Sequence, residues 1–305
     1  MTFANFLNAA WDDHAKDCEA VATRLPDGLA LVASVEDVPP LIGLAVHVYG
    51  EHLGRWNEGL KFLDQVAASQ FCDTDSEGGC AALRGKAILC FCKGDRAKGE
   101  ELALQAHRGD APEASTLIRT LATAAAALTG QKRAAEAAAL LDEALSLAVY
   151  GPKQDDPAAR ALAITGNNLA CELEERASKS AAEIALMKKA AGVARKYWEI
   201  AGTWLEVERA EYRLAITMVA AGEPNVGLEH AKQCLQLCED HNAGLFEHFF
   251  AHEARAKCLL AAGRSPEATG ARDDAQRTVE SVRQSIEYMS EQLNSLDRLL
   301  AQKSH

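Results

Sequence analysis

The chain has 305 residues, 44 of them acidic and 32 basic, for a formal charge of −12. No basic stripe offsets that excess, which argues against a nucleic-acid partner and leaves basic or neutral partners. No apolar run approaches the length of a membrane span. The start, Met-Thr-Phe-Ala-Asn-Phe-Leu-Asn, lacks the basic segment and long apolar core of a secretory leader, so a cytoplasmic location is expected. Nine cysteines fit a reducing compartment, where they serve as small apolar residues.

Along the chain, residues 3–24 read as an amphipathic helix, with Phe3, Phe6, Leu7, Ala10, Trp11, Cys18, Val21 and Leu25 on one face. Pro26-Asp27-Gly28 interrupts it, and a short helix to Ser34 follows, so residues 1–37 form an N-terminal helical cap. Val38-Pro39-Pro40 opens the first repeat, and Trp56 covers its base. Residues 71–79, 109–112 and 150–157 are loops, each followed by a helix. None has the composition of a long tether, so one array over 38–264 is expected. Ser265-Pro266-Glu267 starts a further helix, with Ser as cap, Pro in the first turn and an acid at the positive helix end.

A small-residue pattern recurs about every forty residues. Gly54, Gly94, Gly130, Gly222 and Gly263 each end an alanine-rich helical stretch. Five residues on come Gly59, Gly99, Ala135, Gly227 and Ala268. Seven residues earlier come Ala87, Thr123, Ala215 and Ala256, with His47 the exception. A copy centred on Ala177 keeps Ala170 and Ala182. In a helical hairpin the two helices touch near the turn, where only small side chains let the backbones approach. The turn glycine supplies the positive φ that closes the first helix. Leu63, Ala103, Ala139, Leu186 and Ala231 then continue one apolar face, and Arg272 breaks the rule.

This arrangement resembles the tetratricopeptide repeat superfamily over about residues 38–275. The best copies are Tyr212-Arg-Leu-Ala215 through Gly222 to Gly227, and Asn167-Asn168-Leu169-Ala170 through Ala177 to Ala182. The second is similar to kinesin-light-chain repeats. The turn spacings are longer and less even than the family's 34 residues, and several aromatic signature positions are missing. The resemblance implies an all-α fold, a right-handed superhelix of about six hairpins. It also implies a concave face that binds a protein or peptide segment without catalysis and without a cofactor.

Asn168, Arg209 and Arg213 are the candidate binding residues. Asn168 and Arg213 lie nine residues before their turns at Ala177 and Gly222, and Arg209 sits one helical turn earlier, which places all three on the concave face. Some peptide-binding members of the family hold a ligand backbone or carboxylate with Asn, Lys and Arg at such positions, and the planar fork of Arg suits a carboxylate. The simpler reading is a solvated face, with the arginines paired to Glu206, Glu208 or Glu253. His248 and His252, four apart, could share a metal, although no further ligand is positioned beside them. Cys72, Cys80, Cys90 and Cys92 lack zinc-knuckle spacing, and Cys234 and Cys238 read as packing residues. No phosphate loop and no Gly-x-Ser-x-Gly elbow occurs. Two other functions stay open: a ligand-sensing regulatory module acting through a partner protein, and a metal protein or enzyme using His248 and His252.

From Ala275, the residues Val279, Val282, Ile286, Met289, Leu293, Leu296 and Leu300 step by four and three, the seam of one long C-terminal helix over 265–302. Such a seam either caps the last hairpin or joins two copies as a homodimer.

Overall fold

The structure is a computed structural model that describes residues 1–73, 75–108, 112–149, 151–281 and 287–302. Among the described residues every regular element is helical, in keeping with the absence of strand patterns in the sequence. Contacts group the chain into two compact units, Met1–Leu162 and Ala163–His305. The division falls inside a helix, α9 (Pro157–Glu175), where no linker composition marks it.

The first unit begins with α1 (Phe3–Asp13) and α2 (Cys18–Ala30). The break predicted at Pro26 lies earlier. Asp17 caps α2 by accepting a hydrogen bond from the Ala20 amide at 3.0 Å, and Pro26 sits inside the helix. Gly28 is needed for packing rather than for a turn. A Cβ there would lie 2.2 Å from the Phe6 ring. A short 3-10 turn, Val35–Asp37, leads into α3 (Val38–Ala45), which continues as a π-helical turn, Val46–His52. Then come α4 (Trp56–Ala67), α5 (Glu77–Lys93), α6 (Arg96–Gln105), α7 (Glu113–Gly130) and α8 (Ala134–Leu147). Helix α5 packs on α6, α7 packs on α8, and the two first helices α5 and α7 lie side by side.

The small positions behave as close contacts in most copies. A Cβ on Gly59 would meet Leu89 at 2.7 Å and Tyr49 at 2.9 Å, and one on Gly99 would meet the Phe91 ring at 3.0 Å. Gly54 and Gly94 have positive φ, +62° and +87°. The α7–α8 hairpin departs from the predicted register. Gly130 is still helical, and the left-handed residue is Lys132, with φ of 60°. Counting from Lys132 restores the pattern: Ala125, Ala137 and Leu141 are buried, whereas Ala135 and Ala139 are exposed. Gly130 serves a different contact, since a Cβ there would lie 2.6 Å from the Glu51 carbonyl oxygen.

The second unit holds the rest of α9, then α10 (Ala181–Ala201), α11 (Trp204–Ala220), α12 (Pro224–Asp240), α13 (Leu245–Ala261), α14 (Ser265–Ser281) and α15 (Glu287–Gln302). Capping boxes start α10, from Ser180 and Glu183, and α11, from Thr203 and Glu206. Gly222 and Gly263 end their helices at φ of +78° and +76°. A Cβ on Gly227 would lie 2.7 Å from the Ala215 carbonyl oxygen. Ala182 is exposed, so it does not make the predicted helix contact. Gly166 makes it instead, facing the Ala190 oxygen at 2.5 Å and the Ala194 nitrogen at 2.8 Å from its ideal Cβ.

The C-terminal seam is not one long helix. Arg272 holds Asp297 through Nε–Oδ1 at 2.7 Å, although the two are 25 residues apart. A straight helix would separate them by about 37 Å. Helix α15 instead folds onto α13 and α14. Met289 and Leu293 are buried with Phe249 and Ala275, and Val279 packs against them. Leu296 is buried among Ala215, Leu228 and Leu259, with Leu300 half-buried beside it. Val282 and Ile286 lie outside the described residues. The described seam positions are thus covered within their own unit, which removes exposure as an argument for a second copy.

Candidate functional site

Ser76 caps α5, accepting from the Gly79 amide at 3.0 Å, and Gly94 ends the helix. Within α5, Cys80, Ala81 and Arg84 recur at helical spacing and share a face. On the adjacent α7, Thr116 and Arg119 stand one turn apart. With Pro39, Ala106 and Arg108 these residues line a cleft of about 400 Å³. The small side chains of Ala81 and Ala106 leave it open.

Two guanidiniums, Arg84 and Arg119, enter this cleft without an acidic partner. Neither has a hydrogen bond or ion pair from its side chain among the described residues. Most other described arginines do, including Arg24 with Asp13, Arg55 with Glu19 and Arg195 with Glu211. Burial, reinforced by the positive charge of Arg119, lowers the Arg84 pKa to about 10. Burial also lowers that of Arg119, which Asp156 partly offsets. Both remain cationic at neutral pH. Arg108 pairs with the exposed Asp75 at 3.1 Å at the rim, and Glu77 is exposed there. A carboxylate or phosphate entering the cleft would find two planar, partly buried donors without a hydrogen-bonded acid.

The predicted cluster lies in the second unit. Arg209 and Arg213 do share a groove, about 270 Å³, with Glu208, Tyr212, Phe246, Glu247 and Phe250. The asparagine that lines it is Asn167. Asn168, the next residue, is exposed and is not among the lining residues. The acidic partners also differ from those expected. Arg213 pairs with Glu174, which is buried and also accepts from Thr217. Arg209 is the more exposed of the two and reaches Glu247 at 3.5 Å. Glu208 instead accepts from Cys234 at 2.9 Å and Cys238 at 3.7 Å, and burial raises its pKa. Glu253 pairs with Lys257 and accepts from Tyr212 at 3.1 Å. The groove therefore carries its own countercharges.

His248 and His252 stack with ring centroids 6.5 Å apart. His252 has Asp274 at 3.9 Å, and burial lowers its pKa. No third ligand atom joins them into a compact set among the described residues. Such a set does form from His14, His47 and His52 in the first unit, which sequence reasoning passed over. His47 and His52 are five apart, a spacing that carries no signal in an α-helix.

Compared with known proteins, the chain matches no family model, and no curated protein resembles it significantly. No helix among the described residues is long and apolar enough to cross a membrane.

Proposed function

We propose that this chain is a non-catalytic helical-hairpin scaffold of the tetratricopeptide kind that binds a carboxylate-bearing protein segment in the Arg84–Arg119 cleft. In this reading the hairpins of each unit are turns of a right-handed superhelix, and α5 and α7 present their inner face. The observation that supports it is the pair of half-buried guanidiniums without carboxylate partners, in a chain where acids outnumber bases 44 to 32. A half-buried cation without a hydrogen-bonded acid gains from an external anion that supplies one. The net charge of −12 suggested basic or neutral partners. It acts weakly here, because charges beyond the Debye length of about 8–10 Å are screened, and the cleft lining is locally positive. The segment would bind through bidentate hydrogen bonds from Arg84 and Arg119, with Thr116 as a further donor. A largely preformed cleft confines the ordering cost to the ligand.

A photo-crosslinking residue at Glu77, on the exposed rim, tests this. Segments captured from cell extract should be acidic or end in a free carboxylate, and Arg84→Gln/Arg119→Gln should lose them. Equal capture by the double variant, or capture of segments without a carboxylate near the crosslink, would overturn the proposal.

A further inference from the structure

Three imidazoles meet at the start of the chain. His14 caps α1, and its Nδ1 hydrogen-bonds the Trp11 carbonyl oxygen. His47 and His52 come from the π-helical turn. In an α-helix, residues five apart point about 140° away from each other. The i→i+5 pattern, seen in the Leu53 amide bonding to the Val48 oxygen at 3.0 Å, brings them onto one side. Their Nε2 atoms lie 3.0 Å apart. The ring centroids are 4.5 Å apart for His47–His52, 4.9 Å for His14–His47 and 5.3 Å for His14–His52. One ligand nitrogen from each ring falls within 4.8 Å of the other two.

The groups behind the rings decide which nitrogens face inward. His14 donates from Nδ1 to a carbonyl oxygen, and this leaves its Nε2 lone pair free. His47 has its Nδ1 2.9 Å from Glu51 Oε2, which fixes the same tautomer and strengthens the ring as a donor to a metal. His52 directs its Nε2 at that of His47. Two ligands of a tetrahedral ion at about 2.0–2.1 Å stand about 3.3–3.4 Å apart, close to the observed Nε2 separation. The turn itself is pinned. Gln131 donates to the Glu51 carbonyl oxygen at 2.6 Å, and Gly130 allows α7 to approach that carbonyl. Trp11 flanks both His14 and His47, with centroids 5.2 Å and 5.1 Å away.

We infer that His14, His47 and His52 form a binding site for a zinc-class divalent ion, with Glu51 orienting His47. Three imidazoles and no thiolate suit Zn²⁺ and its spectroscopic substitute Co²⁺. Three protein ligands leave one coordination position for water or an oxygen ligand. His47 and Glu51 border a cleft of about 310 Å³ that also carries Arg84 and Thr123. Without metal, His52 donates its Nε2–H to the His47 Nε2 lone pair; on binding, that proton is lost from Nε2, the ring carries its proton on Nδ1, and both Nε2 lone pairs face the ion.

The test uses the full chain stripped with chelator and titrated with Zn²⁺ by calorimetry and with Co²⁺ by visible absorption. One ion should bind per chain, and Co²⁺ should give the intense visible bands of a tetrahedral site. His14→Ala and His52→Ala should each weaken binding at least tenfold, and Glu51→Gln should weaken it 10–100-fold. Circular dichroism would confirm that the variants remain folded, and His248→Ala/His252→Ala should bind as wild type does. Absence of binding by wild type at millimolar metal would overturn the inference. So would unchanged affinity in a folded His14→Ala/His52→Ala variant, or loss of binding in His248→Ala/His252→Ala alone.

Discussion

Arg84 lies in Leu83-Arg84-Gly85-Lys86, which in sequence reads as ordinary helix surface. Lys86 fits that reading, because it pairs with Asp64. Arg84 differs because the fold brings Arg119 near it and leaves neither side chain hydrogen-bonded to an acid, a fact about residues 35 positions apart that no local pattern carries. Arg84→Met keeps the apolar stem and removes the charge. It should raise the melting temperature by a few degrees, about 1–3 kcal/mol, as expected when an unpaired buried charge is removed. A clear fall would mean that the guanidinium has a structural partner. In the other cluster, sequence offsets found Arg209 and Arg213, but the cross-helix acids Glu174 and Glu247 were not legible, since each lies on another hairpin. The two arginines should therefore differ. Arg209→Ala should cost about 0–1 kcal/mol. Arg213→Ala should cost about 3–5 kcal/mol by stranding buried Glu174. Burial already raises the Glu174 pKa despite Arg213. A carboxyl with a raised folded pKa favours the fold when protonated and loses that contribution as pH rises. The Arg213→Ala deficit should thus be largest near neutral pH and shrink toward pH 4, as denaturant melts across that range would show.

At the level of helices and turns, the glycine periodicity correctly located the close contacts at Gly59, Gly99 and Gly227, because a missing side chain is visible in sequence. It misplaced the α7–α8 turn, where Lys132 adopts the left-handed conformation that glycine was expected to take. It also missed Gly166, whose contact sits farther from its turn than the repeat offset predicts. Two substitutions check this register by thermal melting. Lys132→Gly should stabilise by about 1–2 kcal/mol by relieving a left-handed non-glycine residue. Gly166→Ala should destabilise by about 1–3 kcal/mol, because its methyl meets α10 backbone rather than a movable side chain. The π-helical turn had no sequence signature at all. It meets α7 at the Glu51 carbonyl, a contact between distant residues, and its geometry brings His47 and His52 together.

Over the whole molecule, an all-helical fold followed from period and composition, whereas the two-unit grouping did not, since its boundary lies inside a continuous helix. The C-terminal heptad seam was legible as an apolar stripe but not as a separate α15, because an apolar stripe is the same whether it meets its own chain or another. Burial of Leu296 and Met289 predicts that Leu296→Asp lowers the melting temperature strongly, by about 3–5 kcal/mol, with no change in mass by light scattering. A change of assembly state with unaltered melting would place the seam between chains instead. The central claim concerns the Arg84–Arg119 cleft and its anionic ligand. It is tested most directly by calorimetric titration of the crosslink-identified segment into wild type and into Arg84→Gln/Arg119→Gln at two salt concentrations. The account predicts at least a tenfold weaker affinity for the double variant and a smaller salt dependence, as expected for the loss of charge-assisted hydrogen bonds. Equal affinity and equal salt dependence in the two proteins would contradict it.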